Sequence, residues 1–539
     1  MMKNQLAQKW GLPPTSLRFL IIVLLVIGVF FRFVNLDRKV YWHDEAYTSL
    51  RVSGTTQAEL IQQIFDGEVV SVEDLQKYQR PNPKKGLIDT IDSLALEDSQ
   101  HPPLYYLMVR WWMQWFGNSV QVVRSLSALL SLLVFPCVYW LCLELFDSPL
   151  VAWVAIALFA VSPFHVLYAQ EAREYVLWTV TILLSSAALL RAMRLKTKTS
   201  WVIYALTVAL GLYSFLFSGL VVIAHAIYVF ATSSCRLTKT VAAFVFASIT
   251  GILIFVPWIL VVITHLSQIE RTTTSAQRKL PLVVLVTTWA NNLVNIFVDF
   301  WRANVYFPDS HFPNLPVGPY FILFILFLVG YSLYFLYRKT EKKVGLFVLT
   351  LVAVPALALI LPDLIVGGKL SARTRYLIPS YLGIQLAVAY LLAAQIISSS
   401  SSRRKLWQAI TAIIITGGIV SCAISSQAET WWSKGSHYNP QVARIINSTA
   451  HPLVVSSNDA LNFGELLSLS HLLDPKVRLQ LVVEPNIPNI PDNFSNVFLF
   501  NPSKNLTSGL ETKYKAKMKV VYKLGRLWQL EKKNSYSAN

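Results

Sequence analysis

Charge is what this sequence has least of. Only 14% of its 539 residues are Asp, Glu, Lys or Arg, well below the roughly 25% of ordinary soluble domains, which excludes a chain bathed in water on every side. Acidic residues are the scarcer kind, 29 against 47 basic ones. The resulting net charge of +18 would suit a nucleic-acid binder. The basic residues, however, sit in short clusters between apolar runs, and the preference of Lys and Arg for the cytoplasmic side of a membrane explains that pattern without a polyanion. No nucleic-acid partner is expected. Cysteine is also rare: Cys137, Cys142, Cys235 and Cys422 lie in or beside apolar runs and the long polar loops have none, which excludes a disulfide framework or a thiolate metal site. Internal repeats of the kind many transporters carry are missing as well.

Long apolar sequence is what the chain has in abundance. Hydrophobic residues make up 54% of it, and its mean hydropathy is +0.48. A crossing helix needs about 20 mostly apolar residues. Eleven runs approach that, near residues 18–36, 124–146, 149–166, 175–193, 201–214, 216–231, 241–263, 317–337, 344–361, 377–397 and 406–425. The first lacks a small-x-small cleavage site, so it reads as a retained helix and not a signal peptide. With a cytoplasmic N-terminus, the basic clusters at Lys3 to Arg18, Arg191 to Lys198, Arg236 to Lys239, Arg338 to Lys343 and Arg403 to Lys405 all fall inside, as Lys and Arg bias requires.

The expected architecture is therefore a polytopic α-helical protein of the inner (plasma) membrane. A transmembrane domain spans residues 1–428 and a small extracytoplasmic α/β domain spans 429–539. The first outer loop, 37–102, reads as short interfacial helices, followed by a helix at headgroup level over His101 to Phe116. The second long outer segment, 265–316, contains an apolar stretch with several Asn, Leu282 to Trp301, read as a juxtamembrane helix. In the C-terminal part, helices are expected over 440–450 and 459–473. Strands are expected over 452–456, 477–483 and 497–500, with a closing hairpin of 519–524 and 527–530.

Three outer segments carry groups suited to chemistry. YWHDEAYTSL (Tyr41 to Leu50) brings the carboxylates Asp44 and Glu45 to the membrane surface beside His43. Ionised groups so near hydrocarbon are costly unless used, and such a pair can supply a base for a hydroxyl or hold a metal against a phosphate. A solvated helix cap is the alternative. YAQEAREY (Tyr168 to Tyr175) puts Glu171 and Arg173 in a short outer turn, where Arg173 either binds phosphate or pairs with Glu171 or Glu174. KLSARTRYLIPS (Lys369 to Ser380) places Lys369, Arg373 and Arg375 outside, on the side that should be poor in short-loop positive charge. The planar donors of Arg engage two phosphate oxygens at once; snorkelling to headgroups is the alternative. His43, His101 and His311 also fall in outer loops and, with a carboxylate such as Asp44 or Glu171, are candidate ligands for a divalent metal. Their spacing is no metal signature.

The DE pair after the first span, HPPLYY (His101 to Tyr106), YAQEAREY and RYLIP (Arg375 to Pro379), in this order, resemble the GT-C glycosyltransferases. The specific likeness is to the family of protein O-mannosyltransferases and the aminoarabinose transferases that modify lipid A, and it covers roughly residues 15–400. It implies a polyprenyl-phosphate-linked sugar donor and an acceptor hydroxyl, on a lipid, glycan or protein, at the outer face. By position, Asp44, Glu45 and Glu171 are then the expected catalytic acids, with Asp44 as base in an inverting transfer. His43, His101, Tyr105, Arg173, Tyr175, Lys369, Arg373, Arg375 and Tyr376 are the expected substrate contacts. The family is split on metal use, so the resemblance implies no fixed cofactor. Glu171 stands where the family often has aspartate, and the C-terminal part does not resemble the β-trefoil repeats of eukaryotic mannosyltransferases. A transporter or flippase of a lipid-linked glycan is the rival reading, and an assembly protein displaying its outer domain is a third.

Overall fold

The computed structural model describes residues 15–234, 236–273, 279–302, 318–397, 400–458 and 463–532. By contact, the chain divides into two units. One comprises Met1–Leu36, Ser99–Tyr105 and Arg124–Ala428; the other comprises Asp37–Asp98, Tyr106–Val123 and Glu429–Asn539.

The first unit is a bundle of apolar helices, and each of the eleven apolar runs falls on helix. Among the described residues, seven helices are individually long and apolar enough to cross a membrane, and a bent pair makes an eighth. The other three runs are the helices Thr15–Phe33, Lys198–Ser214 and Ser218–Thr232. Thr374–Ile396 is 94% buried inside the protein, whereas Lys239–Thr264 and Gly318–Lys339 are 28% buried. The first is therefore central. The other two turn Phe246, Ile249, Leu323 and Phe327 outward, toward what in a membrane is lipid.

The bent pair is Pro149–Ala160 with Pro163–Ala169, at 62° to each other. Proline is tolerated in the first turn of a helix because its missing N–H would be unsatisfied there, so Pro163 suits the start of the second piece. The break leaves carbonyls of the first piece without helical partners, and at membrane depth such groups must be satisfied by the protein. Arg32, on the helix Thr15–Phe33, does this: its guanidinium donates to Phe159 O at 2.9 Å, Ala160 O at 2.7 Å and its own Gly28 O at 2.8 Å. Gly28 is required here because a Cβ would collide with the backbone of Ala160. Gln170 Nε2 adds bonds to Phe31 O and Val34 O, each at 2.8 Å.

The second unit is built on a six-stranded sheet. Its strands are β1 (Asp66–Ser71), β2 (Pro452–Ser457), β3 (Arg478–Val482), β4 (Asn496–Phe500), β5 (Ala516–Tyr522) and β6 (Leu527–Lys532), in the order β1-β3-β2-β4-β6-β5. The central strands β3, β2 and β4 are parallel, and the helix Phe463–Ser470 lies in the crossover from β2 to β3, the kind of connection that parallel pairing needs. Leu453, Val455, Val482 and Leu499 pack with Leu506 and Leu510 of the helix Lys504–Tyr514 to form a core.

Three expectations need correction. The loop after the first span is not only helical: β1 comes from it and pairs antiparallel with β3, with Val69 opposite Gln480 and Ser71 opposite Arg478. Most of this loop therefore clusters with residues 429–539 instead of with the spans. Second, no helix is expected between the strands at 497–500 and 519–524, yet Lys504–Tyr514 is one; Ser503 caps it by accepting from Leu506 N at 3.0 Å. Third, the helix beginning at Leu282 ends at Val294, short of Trp301.

Candidate active site

The acidic pair lies in the second unit, on the first turn of the helix His43–Ser53. Carboxylates there complement the positive end of the helix dipole, which is the local reason for the motif's helical form. Gly54, at φ 81°, closes the other end in the left-handed conformation, and Arg51 ties the helix to Glu97 and to Asp98, the latter at 2.6 Å. Those two acids hold the Arg51 guanidinium above its ordinary pKa against the opposing effect of burial.

Asp44 and Glu45 have different surroundings. Glu45 is fully buried, accepts from Trp42 N at 3.4 Å and faces Lys434 Nζ at 3.1 Å, in a pair with no exposure on either side. Its carboxylate is thus paired inside the protein. The Asp44 side chain is 21% exposed, and its Oδ1 lies 3.2 Å from His43 Nε2. The other ring nitrogen, Nδ1, lies 3.1 Å from Glu465 Oε1. Ser436 Oγ accepts from His43 N at 3.0 Å and is 3.3 Å from Nδ1.

The other predicted residues belong to the unit of spans. In the turn 170–174, Glu171 and Glu174 are both fully buried. Glu174 Oε1 meets His101 Nδ1 at 2.9 Å and Arg173 Nη2 at 3.1 Å. Burial opposes ionisation of Glu174, but Arg173 and His101 outweigh it and hold the carboxyl down at about 2. Of the two partners expected for Arg173, Glu174 is thus one it has.

Arg173 has a second relationship. Its guanidinium carbon is 5.6 Å from the centre of the Tyr175 ring, and that of Arg375 is 5.5 Å from the same ring. Arg375 is also 5.5 Å from the Tyr376 ring. The aromatic wall continues through Phe217, 5.2 Å from Tyr376, and through Phe215, which contacts Tyr175, Trp178 and Tyr376. The turn carrying Lys369, Arg373 and Arg375 is held by its own loop and by the helix Leu282–Val294. Asp363 Oδ2 accepts from Ser371 N and Oγ, Trp289 Nε1 donates to Ser371 Oγ, and Asn292 bonds both Ala372 O and Thr374 Oγ1.

The structure thus gathers His101, Arg173, Tyr175, Arg375 and Tyr376, which are far apart in sequence. Glu171 lies in the same turn as Arg173. Tyr105 is fully buried, with its hydroxyl on Ser127 Oγ at 2.7 Å. His311 lies outside the described residues. Among the described residues, no three His, Cys, Asp or Glu side chains gather as a metal-binding group. Sequence reading missed Glu174 as a site member, although it stands beside Arg173. It also missed Glu465, Ser436 and Lys434, which meet the acidic motif only through long-range folding.

The sequence model of the dolichyl-phosphate-mannose-protein mannosyltransferase family matches residues 100–261. No curated protein matches the sequence. Among solved structures, ArnT from Cupriavidus metallidurans in the apo state superposes with a TM-score of 0.55 at 12% identity, covering 97% of this chain and 100% of that one. The same protein bound to undecaprenyl phosphate gives 0.52 at 13% identity, covering 96% and 99%. The fold is the one these ArnT structures show. With its apolar helices, this makes the chain a multi-pass membrane protein. The match to ArnT extends over the sheet-containing unit too, since nearly all of both chains is covered.

Proposed function

We propose that this chain is an integral-membrane glycosyltransferase that moves a sugar from a polyprenyl-phosphate carrier to an acceptor hydroxyl at the extracytoplasmic face of the inner membrane, with its N-terminus cytoplasmic. The convergence of Arg173 and Arg375 on the Tyr175 ring, at 5.6 and 5.5 Å, carries the reading. Both guanidiniums lie beside one aromatic ring, and each can engage a phosphate through paired N–H groups. The shared fold with an ArnT that binds undecaprenyl phosphate supports the same class of carrier here.

In this reading the carrier phosphate rests on Arg173 and Arg375, braced by Glu174 and His101. Asp44 takes the proton from the acceptor hydroxyl, whose oxygen attacks the anomeric carbon from the face opposite the phosphate. The bond from that carbon to the phosphate oxygen breaks, and the carrier leaves with the electron pair as a phosphate steadied by arginine. The configuration at the anomeric carbon inverts. Glu45, sealed by Lys434, takes no part in the chemistry.

Mass spectrometry of envelope lipids, glycans and proteins from cells with and without this chain tests the reading. A hexose-sized or amino-sugar-sized mass increment present only with the chain is expected. Identical envelopes, together with movement of labelled carrier lipid across proteoliposomes by the purified protein, would favour the flippase reading instead.

A further inference from the structure

The C-terminal residues have no role in the reading above, yet they surround the side chain next to Asp44. His43 is gripped from three directions. Its main-chain N–H and ring face Ser436 Oγ, its Nδ1 faces Glu465 Oε1 at 3.1 Å, and its Nε2 faces Asp44 Oδ1 at 3.2 Å. Glu465 is itself oriented, because Asn439 Nδ2 donates to its Oε2 at 3.3 Å and to its main-chain oxygen at 3.2 Å. Close approach is built in: a Cβ at Gly435 would strike the His43 ring, and one at Gly464 would come within 2.9 Å of His43 Cβ. The space at these two positions is filled by His43 together with its neighbours Trp42 and Tyr47.

A carboxylate on the first turn of a helix at a wet surface ordinarily samples several rotamers. An imidazole held at one nitrogen and presenting the other to the carboxylate removes that freedom, since a group is only as well placed as the side chains that hold it. The same logic orients imidazoles at metal sites and in hydrolytic triads, where an outer carboxylate fixes the ring and the ring fixes the reacting group. Here the order is Glu465, His43, Asp44. Both ends of the array keep contact with water, with side-chain exposures of 19% for Glu465 and 21% for Asp44, so it is no sealed structural pair like that of Glu45 and Lys434.

We propose that Glu465, acting through His43, is a positioning residue for Asp44, and that the C-terminal part of the chain thereby sets the orientation of the base. The inference rests on Asp44 being the base, and the experiment separates the two claims. Purified full-length variants are compared by their affinity for undecaprenyl phosphate and by single-turnover transfer, with a lipid extract of the host envelope as the source of donor and acceptor. Glu465→Gln should bind undecaprenyl phosphate as the wild type does but transfer on the order of tenfold more slowly. Glu465→Asp should recover part of the rate. His43→Gln should lose a similar factor, and the double variant should be no slower than His43→Gln alone, because both changes break one chain of contacts. Wild-type transfer by Glu465→Gln, alongside a dead Asp44→Asn, overturns the inference and leaves the base assignment standing. Wild-type transfer by Asp44→Asn overturns the base assignment, and this inference with it. If Glu465→Gln does not fold, His43→Gln decides: unchanged transfer there overturns the proposal, and a loss of rate with binding retained upholds it.

Discussion

Lys434 Nζ and Glu45 Oε2 face each other at 3.1 Å with no solvent exposure on either side. A pair of this kind contributes little net stability over a well-packed apolar pair, but breaking it by removing one partner strands a buried charge, at about 3–5 kcal/mol. Lys434→Met should therefore lower the melting temperature of the purified protein sharply, and adding Glu45→Gln should recover most of the loss. Glu45→Gln alone should reduce stability while leaving the transfer rate per folded molecule near that of the wild type. A selective loss of rate in a stable Glu45→Gln protein would return Glu45 to the chemistry.

Arg32 caps the break in the helix pair Pro149–Ala160 and Pro163–Ala169 with bonds to Phe159 O and Ala160 O. Hydrogen bonds to a charged group contribute about 1.5–3 kcal/mol each. Arg32→Leu leaves both buried carbonyls without these charged donors, so a destabilisation of roughly 3 kcal/mol or more is expected, measured as a lower melting temperature in detergent. Arg32→Lys, which can satisfy fewer acceptors, should fall between.

The Glu174 carboxyl is held at about 2, below its ordinary 4.5, because Arg173 and His101 outweigh the effect of burial. A carboxyl with a depressed folded-state pKa stabilises the fold fully above its unfolded value and loses that contribution as pH falls through the folded one. Stability should accordingly drop between about 4.5 and about 2, by a few kcal/mol on the order of 1.4 per unit. Glu174→Gln should be less stable than wild type at neutral pH, and the gap should narrow across that window. Melting curves over the range, run on both proteins, check the sign.

Arg375 and Arg173 approach the Tyr175 ring from two separate segments. Arg375→Gln should weaken undecaprenyl phosphate binding by about tenfold, the scale of a charge-assisted contact. Arg375→Lys should recover only part, since an ammonium engages one oxygen where a guanidinium engages two. Affinity unchanged in Arg173→Gln and Arg375→Gln would remove the phosphate from this place.

β1 completes its hydrogen bonding on β3, between residues more than 400 positions apart in sequence. Truncation after Ala428 should therefore unfold much of the first loop as well. Limited proteolysis of the truncated protein should cut between Asp66 and Asp98, where the full-length protein resists.

The spans were legible because lipid imposes a local rule: a long apolar run is visible in any window of sequence. The gathering of Arg173 and Arg375 at Tyr175 was half legible, since arginines expected on the basic-poor side stand out even before both are seen beside that ring. Edge strand β1 was hidden because DGEVVS is short and its pairing partner lies near the other end of the chain. The helix Lys504–Tyr514 was hidden because its apolar face is short, Leu506 and Leu510 with Tyr514 at its end. The split between Asp44 and Glu45, adjacent and chemically alike, was invisible for a physical reason: one helical step turns a side chain by about 100°. Only the folded chain reveals that this step takes Glu45 to Lys434 and leaves Asp44 at the surface.

The most direct test is single-turnover sugar transfer by purified Asp44→Asn, with undecaprenyl phosphate binding measured on the same sample. The account predicts binding equal to wild type and a transfer rate reduced by at least about a hundredfold, as expected for loss of a general base. Transfer at the wild-type rate by a folded, lipid-binding Asp44→Asn protein would contradict it.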